Sequence, residues 1–118
     1  LDQVRQRSAQ WVAAFNRGDV DTCVAAYHPD AVMEAKPMGT FRGRAAIDGF
    51  WRPFLASGAG ELVYRNIQLT VRGQRSVVLS ADWSMNVGSG IITCELWVAD
   101  DDGRWLLHED AFEIRERV

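Results

Sequence analysis

Everything after Gly60 alternates between apolar and polar residues, and this alternation constrains the fold more than any other feature of the chain. Strand-like segments near 61–72, 76–87, 90–100 and 104–115 are separated by Gly73, by Gly88 with Gly90, and by Gly103. Glycine-punctuated alternation of this kind predicts consecutive hairpins in one antiparallel sheet. Such a sheet has one apolar face to cover.

The first half supplies the cover. Val4, Ser8, Trp11, Val12 and Phe15 recur at helical spacing, which predicts a helix near 2–16 that ends at Asn16, Arg17 and Gly18. Asp19 is a natural N-cap for a second helix near 19–27, with Val20, Cys23, Val24 and Tyr27 on one stripe. His28, Pro29 and Asp30 break that pattern; Ala31 to Ala35 reads as a short strand, followed by a loop holding Pro37 and Gly39. A third helix is predicted near 43–56, with Ile47, Phe50, Trp51, Phe54 and Leu55 on its apolar face. Pro53 should kink or restart it near Arg52, because the ring clashes with the carbonyl of Gly49. Helices followed by hairpins give a single-domain α+β fold, with three helices packed on a strongly curved antiparallel sheet.

Composition narrows the function. A chain of 118 residues at 47% hydrophobic content can bury a core without staples. A net charge of -3 speaks against nucleic acid or acidic membranes as partners, since binding to either needs a basic field. No apolar run reaches the roughly 18 residues of a membrane span. Cys23 and Cys94 lack metal-ligand spacing and read as reduced thiols, which suits a cytoplasmic protein. The chain begins at Leu1 rather than Met, which leaves room for a removed leader. No His/Cys cluster suggests zinc, and Asp100 to Asp102 lack the distal Glu of a calcium loop. Arg42 and Arg44 flank Gly43 without a phosphate-loop pattern. No metal or cofactor is therefore expected.

Five Trp and five Phe in so short a chain imply either an unusually aromatic core or a ring-lined cavity. Trp11, Phe15 and Tyr27 of the first two helices, and Phe50, Trp51 and Phe54 of the third, are candidate lining for a small apolar molecule. Met33, Trp97 and Phe112 are candidates from the strands. Core packing would account for each of them alone.

The last hairpin carries the candidate catalytic groups. His108 and Asp110, two apart, should share a strand face with Leu106, Phe112 and Ile114. A four-residue loop, Asp100 to Gly103, would pair Ala99 with Arg104 and Glu95 with His108; a three-residue loop would oppose Glu95 to Glu109, an unfavourable pairing of like charges. The first register is expected. A His flanked by carboxylates can move protons near neutrality, and a carboxyl among rings can have its pKa raised until it donates. These groups can equally satisfy one another without chemistry. On the opposite face Ile92, Leu96 and Val98 form an apolar row, which points to a homodimer through a surface including Val78, Ser80 or Asp82 and the strand of Cys94.

The runs FNRGDVDTCVAAYHPDAV and PMGTFRGRAAIDGFW, with the later WVADDDGRWLLHEDAF, resemble the SnoaL-like and ketosteroid isomerase-like families of the nuclear transport factor 2-like superfamily. The resemblance implies a cone-shaped fold, a pocket between helices and sheet, and frequent dimerisation through the outer sheet face. It spans isomerases, cyclases, hydrolases, dehydratases and binding domains without chemistry, so it implies no single activity. It sets Glu95 where ketosteroid isomerases carry the protonated acid of their oxyanion hole. Their base has no counterpart, because Lys36 directly precedes Pro37 and the nearest carboxylate is Glu34; the tyrosine of their first helix is also missing. An epoxide-hydrolase-like Asp, Arg, Asp relay would have to recruit Asp82 and Asp110. Two expectations stand: a cofactor-independent isomerase, lyase or hydrolase using acid-base chemistry in an apolar pocket, or a non-catalytic ligand-binding or dimerisation module.

Overall fold

The apolar stripe of the first segment forms helix α1 (Asp2–Asn16), which buries Val4, Ser8, Trp11, Ala14 and Phe15. Its chain reverses at Gly18, whose φ of 74° is a left-handed conformation that costs glycine little. Asp19 caps α2 (Val20–Ala25), its carboxylate accepting the Thr22 N–H at 3.2 Å. The computed structural model describes all residues from Leu1 to Val118.

The second helix is shorter than its periodicity suggests, because Tyr27 already belongs to a strand. Strand β1 (Tyr27–Lys36) runs through His28, Pro29 and Asp30, and the irregularity they introduce appears as a register shift between Tyr27 and Val32. The segment expected to be a loop forms β2 (Gly39–Arg42), a short edge strand antiparallel to β1. Helix α3 (Gly43–Ala56) is continuous through Pro53 and does not restart at Arg52. Pro53 sits in the last turn, where it forfeits one backbone bond, and its own carbonyl accepts the Ser57 N–H at 3.0 Å.

Strands β3 (Val63–Gly73), β4 (Ser76–Met85), β5 (Gly88–Ala99) and β6 (Trp105–Arg117) follow as consecutive hairpins. The six-stranded sheet has the order β2-β1-β6-β5-β4-β3 and is not closed. It is also not wholly antiparallel: β1 and β6 run parallel, from Tyr27 opposite Leu107 to Lys36 opposite Glu113. No hairpin joins these two strands, so nothing in the connection requires them to oppose.

The hairpin carrying the candidate site differs from the expected register. Its loop has five residues, Asp100 to Arg104, held by the Asp100 carboxylate accepting the N–H groups of Asp102 and Arg104. Ala99 therefore pairs with Trp105, and Trp97 with Leu107 rather than Leu106. Three further residues, His108, Thr93 and Arg115, bulge out of the ladder. Each bulge exchanges inward and outward positions beyond it. The result sets Glu95 opposite Asp110, not His108, and turns Ile92 into the core instead of onto the outer apolar row.

Rings join helices to sheet. Trp11 lies 5.5 Å from both Phe15 and Trp51, and Trp51 stacks on Phe112 of β6 at 5.7 Å. No helix is long and apolar enough to cross a membrane.

Candidate functional site

Between α1, α3 and the concave sheet face lies a cavity of about 580 Å³. Trp11 and Phe15 of α1 and Phe50, Trp51 and Phe54 of α3 form one wall. Tyr64 of β3, Trp83 and Met85 of β4 and Ile92 of β5 form the other, and Phe112 and Ile114 of β6 complete it. Six of the predicted lining residues thus line the cavity: Trp11, Phe15, Phe50, Trp51, Phe54 and Phe112. The other three, Tyr27, Met33 and Trp97, do not; each is fully buried in the core.

Asp110 is the one carboxylate in this apolar wall. Its Oδ2 accepts the Tyr27 hydroxyl at 2.6 Å, and the Tyr27 oxygen in turn accepts the Trp51 indole N–H at 3.2 Å. No protein group donates to Asp110 Oδ1, while no fully buried side-chain polar atom of the molecule lacks a partner, so Oδ1 is open to the cavity. Glu95 stands directly across the ladder. The Trp97 indole donates to its Oε1 at 3.0 Å, and the Tyr64 hydroxyl to its Oε2 at 2.9 Å.

Two carboxyls opposed in a dry core cannot both ionise without large cost. Burial pushes Glu95 well above the ordinary carboxylate range, and Asp110 raises it further; the bonds from Trp97, Tyr64 and Ser8 oppose the shift without cancelling it. Burial raises Asp110 as well, against the pull of the Tyr27 hydroxyl. Like charges across the ladder repel only when both groups are ionised, and burial keeps at least one of this pair protonated near neutrality. Tyr27 and Tyr64 are raised well above the usual phenol value, first by burial and then by the adjacent carboxylates, so both remain hydrogen-bond donors.

His108 does not join the two acids. The bulge turns it away, and its ring lies against His28 with centroids 4.2 Å apart. Burial and then His28 lower its pKa. Asp82 is exposed and accepts from Asn66 Nδ2 at 2.7 Å, so an Asp, Arg, Asp relay with Asp110 is not assembled. No group of three or more His, Cys, Asp or Glu side chains is arranged to hold a metal ion. Cys23 is buried, Cys94 is half-buried, and both are free thiols.

Two polar site residues escaped the sequence reading. Tyr64 was detectable, because β3 pairs it with Trp83, which strand alternation already places on the inward face. Arg117, at the cavity mouth, was not, since its orientation depends on the Arg115 bulge.

A family model described as a SnoaL-like domain matches residues 9–108. No curated protein matches the chain. Among solved structures, a candidate dehydratase of the NTF2-like family from Streptomyces avermitilis superposes with a TM-score of 0.82 at 12% identity, over 97% of this chain and 95% of that one. An NTF-2 like protein of unknown function from Shewanella oneidensis MR-1 gives 0.80 at 18% identity, over 95% and 97%. A ketosteroid isomerase-like protein from Erwinia carotovora atroseptica gives 0.79 at 13% identity, over 93% and 92%. Identities this low establish a common fold.

Proposed function

The chain belongs to the SnoaL-like domain family, and from that premise we propose that it binds a small apolar molecule and moves a proton on it through Asp110, without a cofactor. The observation that carries this reading is the Asp110 carboxylate itself: one oxygen is held by Tyr27, and the other is open to a cavity walled by aromatic rings. A carboxylate whose pKa is raised toward neutrality is a competent general base when ionised and a general acid when protonated. With Glu95 holding its proton, Asp110 can ionise without a second charge opposite it. Trp51 and Tyr27 hold the reacting carboxyl in place, and the aromatic walls exclude water that would compete for the proton. His108 has no part in this reading.

Solved relatives named as a dehydratase and as ketosteroid isomerase-like lend support to proton-transfer chemistry in this fold. A panel of hydrophobic carbonyl and epoxide compounds, screened by thermal shift and then for turnover, tests it. At least one compound should raise the melting temperature and be converted. A panel that leaves the melting temperature unchanged would remove the basis for the proposal.

A binding module without chemistry is the second reading. It is favoured by the way Glu95 directs both oxygens to Tyr64 and Trp97 and none to the cavity. Under either reading the outer face of β4 and β5 supports a homodimer, because Val78 pairs with Leu96 there and Val98 lies beside them, all half-buried.

A further inference from the structure

The last bulge on β6 decides which charge stands at the cavity mouth. Ile114 opposes Gly90 and faces inward, and continued alternation would bring Glu116 to the cavity next. Arg115 is instead extruded from the ladder, so that Ser89 pairs with Glu116 and Gly88 with Arg117. Arg117 lines the cavity; Arg115 and Glu116 do not. The two glycines permit this close approach. A Cβ at Gly90 would overlap the Glu113 carbonyl oxygen, and one at Gly88 would lie 2.5 Å from that of Glu116.

Arg117 is the one cation among the lining residues, and it has no acidic partner. The neighbouring Arg115 pairs with Glu113, whereas the only side chain hydrogen-bonded to the Arg117 guanidinium is Met38, whose sulfur lies 3.9 Å from Nη2. A guanidinium is a planar multiple donor suited to carboxylate. Asp110, the other charged lining residue, lies seven positions back along the same strand, six regular steps once the bulged Arg115 is left out, or roughly 20 Å at about 3.3 Å per residue.

We propose that Arg117 is a specificity-determining residue for an elongated apolar ligand with a carboxylate at one end, the carboxylate binding at the mouth and the apolar body extending toward Asp110. This rests on the reading that the cavity binds a small apolar molecule. 4-(1-Pyrenyl)butanoate and its methyl ester form a suitable probe pair, each titrated by its own fluorescence against the protein and against Arg117→Gln and Arg115→Gln. The ratio of acid to ester affinity should fall about three- to fivefold in Arg117→Gln, the size expected of a partly exposed charged pair. Ester affinity should change less than acid affinity there, and Arg115→Gln should leave the ratio alone. Equal ratios in the wild type and Arg117→Gln, with both probes bound, would overturn the carboxylate assignment and leave the apolar pocket standing. An equal fall in Arg115→Gln would overturn it too, by showing a general field rather than a placed group. If neither probe binds any of the three proteins, the pocket reading and this inference fall together.

Discussion

Asp110 and Glu95 are opposed across one ladder position, yet they face different surroundings: one has an oxygen open to the cavity, the other gives both oxygens to indole and phenol donors. Removing charge while keeping shape should separate their roles. Asp110→Asn is expected to retain ligand binding and lose turnover by about 10²- to 10⁴-fold, the usual contribution of a positioned acid or base, as steady-state kinetics on a converted compound would read. Stability should report the same pair. Both acids have folded pKa values raised above their unfolded ones, so the folded state binds more protons. The stability they contribute is complete below the ordinary carboxylate value near pH 4 and is lost as pH rises through the raised values. Melting temperature should therefore fall between about pH 5 and about pH 8, and Glu95→Gln should flatten that slope. A slope of equal steepness in Glu95→Gln would mean that other groups govern it.

At the scale of elements, the bulged β5–β6 hairpin and α3 make opposite predictions for the same substitution. Gly90→Ala would drive a methyl group into the Glu113 carbonyl and to within 2.9 Å of the Trp83 ring, so β6 could not keep its place beside β5. A loss of about 1–3 kcal/mol or more is expected. Gly49 lies on the exposed side of α3, where a methyl group would meet no neighbouring atom within 4 Å, and there alanine removes unfolded-state entropy without a clash. Gly49→Ala should gain roughly 0.5–1 kcal/mol. Urea unfolding midpoints of the two variants should move in opposite directions.

For the whole molecule, the apolar patch of Val78, Leu96 and Val98 on the outer sheet face predicts self-association through that surface. Sedimentation equilibrium at tens of micromolar should find a dimer, and Leu96→Lys should shift it toward monomer. A wild-type chain that sediments only as monomer would overturn the dimer reading of this face.

The order of helices and hairpins was legible from the sequence because apolar periodicity is a local property, readable wherever a stripe or an alternation repeats. The same locality offered Trp11, Phe15, Phe50, Trp51, Phe54 and Phe112 as candidate lining and set Asp110 as a polar intrusion into the apolar row of its strand, although with His108 beside it rather than Glu95 across from it. The tertiary structure alone decided which charges meet. Alternation predicts facing only while the ladder is regular, and the bulges at Thr93, His108 and Arg115 each exchange inward and outward positions along the hairpin. They paired Glu95 with Asp110, turned His108 out to His28, drew Ile92 into the cavity wall and brought Arg117 to its mouth. Each bulge depends on what two strands and the helices above them can bury together, and no pattern within one strand records that.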